Sequence, residues 1–285
     1  MSDAPTVHPP AFAVRDAVAR AIAEDLTPLG DLTASLVDPT ASVRAAIVAR
    51  SAGVIAGRAC ATEAFAQIDA TIAVDWRVDD GVRAEQGGVV GVVAGSLSAV
   101  LTAERTALNF LGHLSGIATL TRRYVDAVAG TDVRILDTRK TTPGLRALEK
   151  AAVRAGGGHN HRGSLSEMVL VKDNHRAGLD IAEAVKRAVA AWPGRTIEVE
   201  CDSLTQVSEA VGAGAHIVML DNFAPGDVSA AVAAVGGRAL VEVSGRVSLD
   251  TVGEYAAAGP DLISVGALTH SAPVLDLGLD LDLEV

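Results

Sequence analysis

The chain has 285 residues and a formal net charge of −11, with 49% hydrophobic, 21% charged and only 3% aromatic residues. This describes a globular enzyme of one large or two modest domains, and its acidity and few aromatics exclude a general nucleic-acid binder. Cys60 and Cys201 build neither a disulfide framework nor a metal–thiolate site; with no signal-peptide pattern and no apolar run of membrane-spanning length, the expected location is cytoplasmic.

Residues 1–12 carry Pro5, Pro9 and Pro10 and read as a loose tail. Val14, Val18, Ala21 and Ile22 recur at helical spacing and predict a helix over 14–25, ending near Pro28 and Gly30. Residues 41–57 alternate and are rich in Val and Ile, so they predict strands. Residues 58–68 read as a helix and 71–78 as another strand. From Gly81 to Gly95 glycines punctuate short valine runs, as in a small sheet with tight turns. Residues 101–128 read as a long helical segment broken near Gly112 to Gly116, and the domain boundary is placed there. The expected organisation is an N-terminal α/β sandwich domain over 13–115, with 273–285 packing back on it, and a barrel over 116–272.

After Thr131 the rhythm changes. Apolar runs at 133–136, 168–171, 197–199, 217–220, 239–243 and 262–265 alternate with helices at 179–192, 204–213, 225–235 and 249–258. That order implies a parallel sheet whose strands, covered on both faces, are apolar throughout. Polar residues follow nearly every run: Asp137-Thr138-Arg139-Lys140, Lys172-Asp173-Asn174, Glu200-Cys201-Asp202, Asp221-Asn222, Ser244-Gly245-Arg246 and Gly266-Ala267. An open doubly wound sheet loads only the strand ends near its switch point, so the pattern favours an α/β barrel, incomplete or open because the units fall short of eight.

Arg139, Lys140, His161, Arg162 and Lys172 gather cations at buried strand ends. Such a set repels itself unless an anion is bound, which points to a small polyanion. Arg grips a carboxylate with two parallel hydrogen bonds, and Lys meets phosphate as a point charge. Gly156 to Gly158 read either as a hinge or as a pocket-forming turn. Glu200 and Asp221 either pair with Lys140 and Lys172 or bind sugar hydroxyls, or magnesium through water, beside a developing positive charge. Ser244-Gly245-Arg246 and Gly266-Ala267-Leu268 suit a phosphate held after the last two strands. His175 is a candidate base without a paired nucleophile. Lys172 alone would also suit a Schiff-base aldolase.

Longer motifs add a resemblance. Thr138-Arg139-Lys140-Thr141 with Pro143-Gly144-Leu145-Arg146, then Gly156-Gly157-Gly158-His159-Asn160-His161-Arg162, then Val171-Lys172-Asp173-Asn174-His175, resemble the quinolinate phosphoribosyltransferase family. So do Glu24-Asp25, Gly30-Asp31-Leu32-Thr33, the stretch from Leu101 to Thr119, and Val265-Gly266-Ala267-Leu268-Thr269-His270-Ser271.

The resemblance implies an open, roughly seven-stranded α/β barrel with a smaller N-terminal α/β sandwich domain. It implies a homodimer, or a larger oligomer, in which Arg105 reaches the neighbouring subunit's site. Arg105, Arg139, His161, Arg162 and Lys172 match the quinolinate contacts, with Thr138 beside them. Lys140, Glu200 and Asp221 match the phosphoribosyl pyrophosphate and magnesium side. Ser244, Gly245, Gly266 and His270 match the 5-phosphate loops, with Arg246, Val265 and Ala267 alongside. The implied catalytic residues are Lys140, Lys172, Glu200 and Asp221, with Mg2+ and no organic cofactor. Arg246 and Ser164 depart from the family pattern, where Asn or Gly and Gly are expected. The rivals are a paralogous phosphoribosyltransferase with another substrate, the aldolase, and a non-catalytic pyridine or sugar-phosphate sensor.

Overall fold

The computed structural model describes residues 8–176 and 178–282, apart from the side chains at 175, 176 and 282. Along the chain come helix α1 (Ala11–Leu26), a short 3-10 turn (Ala34–Leu36), β1 (Ser42–Ala49), β2 (Gly53–Val54), α2 (Arg58–Ile68), β3 (Ala73–Trp76), β4 (Arg83–Ala84), β5 (Val89–Ser96) and α3 (Leu97–Ala127). There follow β6 (Arg134–Leu136), α4 (Arg146–Ala155), β7 (Val169–Val171), α5 (Asp173–Arg176), α6 (Ile181–Ala191), β8 (Ile197–Cys201) and α7 (Leu204–Gly212). The last are β9 (Ile217–Asp221), α8 (Pro225–Val235), β10 (Leu240–Ser244), α9 (Val252–Ala257), β11 (Leu262–Ser264), α10 (Ala267–His270) and β12 (Leu277–Asp282). Among the described residues no helix is long and apolar enough to cross a membrane.

Two compact units emerge. One holds residues up to Arg122, Thr141–Gly157 and residues from Leu268 on; the other holds Arg123–Lys140 and Gly158–Ala267. In the first, an antiparallel sheet runs in the order β12-β1-β5-β3. Strand β1 alternates, burying Val43, Ala45 and Ile47, as a sheet with one face on a core requires. Helix α1 begins at Ala11, inside the stretch read as tail, because the Pro10 carbonyl accepts from the amides of Ala13 (3.0 Å) and Val14 (3.2 Å). Proline suits that position, having no amide to leave unsatisfied.

Helix α3 is continuous, contrary to the break read at Gly112 to Gly116. Those glycines serve close approach instead. A Cβ on Gly112 would lie 2.9 Å from the Leu275 carbonyl oxygen, and one on Gly116 would overlap the Pro273 carbonyl. The Leu275 amide in turn donates to the Gly112 carbonyl (3.0 Å). Removing two side chains therefore lets the C-terminal segment lie on the helix, and tertiary packing offsets the low helix propensity of glycine. On the same helix the Ser115 hydroxyl accepts from the Ala56 amide (2.9 Å), and that of Thr119 from the Val54 amide (2.9 Å). These bonds satisfy backbone that the short strand β2 leaves unpaired.

Helix α4 was not legible as a helix. It is rich in charge, and Glu149, fully buried, accepts from the Thr142 amide (3.1 Å) and lies 2.9 Å from His113 Nε2. Gly156 and Gly157 close this helix. A Cβ on Gly156 would meet the side chain of Thr121. They thus serve helix termination and packing.

The second unit is a parallel sheet in the order β6-β11-β10-β9-β8-β7, with β6 and β7 at its two ends. A single parallel bridge between Leu136 and His159 adds a seventh segment beside β6. Helices α6 and α7 start where a side chain caps the first turn: Asp180 accepts from the Glu183 amide (2.7 Å) and Ser203 from the Gln206 amide (3.4 Å). Helix α8 starts on Pro225. The strands are not apolar throughout. Glu198 in β8 and Glu242 in β10 are both wholly buried.

Candidate active site

The polar strand ends of the second unit converge on one cavity of about 570 Å3. The loop after β6 brings Thr138, Arg139 and Lys140 to it, and the loop after the His159 bridge brings His161 and Arg162. Lys172 enters from the end of β7, Glu200 from β8, and Asp221 with Asn222 from β9. Ser244, Gly245 and Arg246 close the lining from β10, with Ser264 from β11. Its volume is that of a small-molecule site.

Local bonds fix several of these groups. Asp137, fully buried at the end of β6, accepts from Asn160 Nδ2 (2.6 Å) and from the His161 amide (2.9 Å). It therefore clamps the segment that carries His161 and Arg162. The Thr138 hydroxyl accepts from the Lys140 amide (3.0 Å) and shapes the Arg139–Lys140 turn. Arg162 is buried, and its Nη1 donates to the Met168 carbonyl (3.3 Å). Burial, and then the charge of Arg139, hold its guanidinium below its ordinary pKa. Lys172 is ion-paired with Glu200, so the simple pairing reading of that carboxylate holds in this structure. Asn222 Nδ2 donates to Asp221 (2.8 Å).

The β9 and β10 loops carry unusual backbone. Asn222 has φ +60° and Arg246 φ +55°, in the left-handed region. Gly245, at φ +88°, has no room for a side chain, because a Cβ would collide with the side-chain oxygen of Asn222. The Asn222 amide donates to the Ser244 carbonyl (2.9 Å), binding the two loops together. The position of Arg246 explains why Asn or Gly is the expected residue there.

Beneath the strand ends lies a cluster that the reading of apolar runs passed over. His161 Nε2 is 3.0 Å from Glu198 Oε2 and 3.5 Å from Glu242 Oε2, and Glu242 lines the cavity. Burial pushes the Glu198 carboxyl up to about 7. Burial, and then the neighbouring Glu198 charge, push that of Glu242 up to about 8. A carboxylate inside an apolar parallel strand was the signal available in sequence. At a spacing of two residues, Glu198 also shares its strand face with the strand-end Glu200.

Other expected site residues lie apart from this lining. Val265 is buried and its amide donates to the Leu136 carbonyl (2.9 Å), while Gly266 and Ala267 follow the end of β11. Arg105 is exposed on α3, and His270 is exposed beside Ser271 (2.6 Å); both belong to the first unit. The Gly156–Gly158 run does not line the cavity. The side chain of His175, read as a possible base, lies outside the described residues.

Cations and carboxylates loading the strand ends of an open parallel α/β barrel define an enzyme for a small, highly anionic substrate. Known proteins place it further. Residues 31–115 match the model of the quinolinate phosphoribosyl transferase N-terminal domain, and residues 117–280 that of its C-terminal domain. A nicotinate-nucleotide pyrophosphorylase (carboxylating) of Mycobacterium leprae is 44% identical over 279 residues, covering 94% of this chain and 97% of its own. The chloroplastic Arabidopsis thaliana protein of that name is 38% identical, covering 99% and 86%. The structure of the nicotinate-nucleotide pyrophosphorylase from Francisella tularensis superimposes with a TM-score of 0.93 at 36% identity, covering 97% of this chain and 99% of that one. The chain belongs to the quinolinate phosphoribosyl transferase family.

Proposed function

We propose that this chain is a pentosyltransferase that joins quinolinate to phosphoribosyl pyrophosphate and releases carbon dioxide. The products are nicotinate mononucleotide, pyrophosphate and CO2, and the reaction serves NAD biosynthesis. The single observation that carries this reading is the convergence of Arg139, Lys140, Arg162 and Lys172 on one cavity that also holds Glu200 and Asp221. A dicarboxylate and a sugar diphosphate together supply the negative charge those cations need.

In this reading Arg139, Arg162 and Lys172 hold the two carboxylates, with His161 and Thr138 bordering the ring. The clamp sets the pyridine nitrogen in line with the sugar carbon. Lys140 neutralises charge on the departing pyrophosphate. Glu200 and Asp221 put negative charge beside the ribosyl cation as it develops. Both offer the hard oxygen donors that suit magnesium, through water and substrate, and bound magnesium would neutralise diphosphate charge. Ser244, Gly245 and Arg246 face the 5-phosphate, with Val265, Gly266, Ala267 and His270 on the neighbouring segment. Once ribosylated, the ring nitrogen is cationic and stabilises the electron pair that the departing carboxylate leaves on the adjacent carbon, so no organic cofactor is needed.

We infer a homodimer in which the exposed Arg105 completes the partner's site. The borrowed arginine would give the dicarboxylate a further cation. Incubation with quinolinate, phosphoribosyl pyrophosphate and magnesium should yield nicotinate mononucleotide, and nicotinic acid should not replace quinolinate. Absence of that product, or equal use of nicotinic acid, overturns the assignment.

A further inference from the structure

We propose that Glu242 is the acid that delivers a proton to the ring carbon left bare when carbon dioxide departs, a role that rests on the reaction proposed above. Glu242 lies two residues before Ser244 on β10, so it shares the face that carries the strand-end lining, one layer deeper. It lines the cavity, is wholly buried, and neither of its carboxyl oxygens receives a hydrogen bond.

The partners of the cluster decide where its hydrogens sit. The Arg162 amide donates to His161 Nδ1 (2.8 Å). That nitrogen is therefore an acceptor, and in the neutral ring Nε2 carries the hydrogen. Nε2 gives it to Glu198 at 3.0 Å. Glu198 is thus met by a donor, and by the charges of Arg162 and Lys172. Glu242 faces Glu198, His161 and the Ser264 hydroxyl. Ionising Glu242 at zero exposure, beside the Glu198 carboxylate and with no hydrogen bond made to either of its oxygens, is costly, so Glu242 keeps its proton.

The three groups converge closely enough to suggest a metal site, with ligand atoms within 4.8 Å of one another. The same tautomer argues against it. A cation on Nε2 would need that nitrogen bare while the Nδ1 lone pair still faces an amide hydrogen. What the cluster offers is an acid beside a hydrogen-bonded carboxylate.

The step balances. The bond from the ring carbon to its carboxylate breaks, carbon dioxide leaves, and the electron pair stays on the carbon. The Glu242 O–H bond breaks and its proton joins that pair. Glu242, now a carboxylate, regains a proton from water admitted to the cavity it lines once the product leaves. A buried acid in place captures the carbanion before it can recombine with carbon dioxide.

The test is a single-turnover experiment with quinolinate labelled in the departing carboxylate, following pyrophosphate and labelled carbon dioxide together. In the wild-type protein the two appear together. In Glu242→Gln, close in shape but no acid, carbon dioxide should lag pyrophosphate by about a hundredfold. A mononucleotide retaining both carboxylates should accumulate. Glu242→Asp keeps the acid and should restore part of the coupling. Calorimetry should find quinolinate binding by the Gln variant within about threefold of wild type, since a lost acid is not lost binding. Coupled release in Glu242→Gln, whether at full speed or equally slowed, overturns the proposal; if that variant does not bind, uncoupled release by Glu242→Asp must appear instead. A wild-type protein that releases no pyrophosphate overturns the reaction itself and this step with it.

Discussion

Lys172 and Glu200 meet as an ion pair across the ends of neighbouring strands β7 and β8. The pair sets a lysine and a carboxylate side by side in the cavity and holds both ready for ligand. Its loss leaves Glu200, only 17% exposed, beside bound anions with no cation of its own. Lys172→Ala, and likewise Arg139→Ala, should lower kcat/KM by about thirtyfold or more. The circular dichroism spectrum should be unchanged. Near-normal turnover in either variant counts against the clamp.

A shared site makes a different demand. In the proposed homodimer, Arg105→Ala and Lys140→Ala remove groups that two different subunits would give to one site. Each variant should be inactive alone, and mixing should restore part of the activity once subunits exchange. Proven exchange without recovery contradicts the borrowed arginine.

The barrel was legible in the sequence because the strands of the second unit are mainly apolar and most are followed by a polar strand end. Arg139, Lys140, Lys172, Glu200 and Asp221 stand at such ends, Arg162 follows the Gly156–Gly158 run instead, and all line one cavity. Glu198 and Glu242 escaped because they lie within runs that were read as uniformly apolar. Helix α3 was read as broken because local propensity penalises Gly112 and Gly116. What decides there is the backbone of Pro273 to Leu275, far away in sequence. Long-range contacts of this kind leave no local trace in the chain.

The buried acid also sets a stability profile. Glu242 is raised from an ordinary 4.5 to about 8, so the folded protein holds its proton more tightly than the unfolded chain does. That contribution is fully present below the unfolded value, and it is lost as pH rises toward about 8. Glutamine does not titrate. The melting temperature of Glu242→Gln minus that of wild type should therefore increase between pH 5 and pH 9. A constant difference would mean that Glu242 is ionised throughout.

Arg246 holds a left-handed backbone that asparagine tolerates better. Arg246→Asn should raise stability by about 1 kcal/mol, measured by denaturant unfolding. It should also weaken phosphoribosyl pyrophosphate binding if the guanidinium faces the 5-phosphate. Unchanged affinity would limit Arg246 to loop geometry.

The central claim is that the cations of this cavity are set for two carboxylates on one ring. Calorimetric titration of the wild-type protein with quinolinate and with nicotinic acid, at the same ionic strength, tests it most directly. Quinolinate should bind about tenfold tighter or more, the value of one charge-assisted contact. Equal affinities for the two acids would contradict the claim.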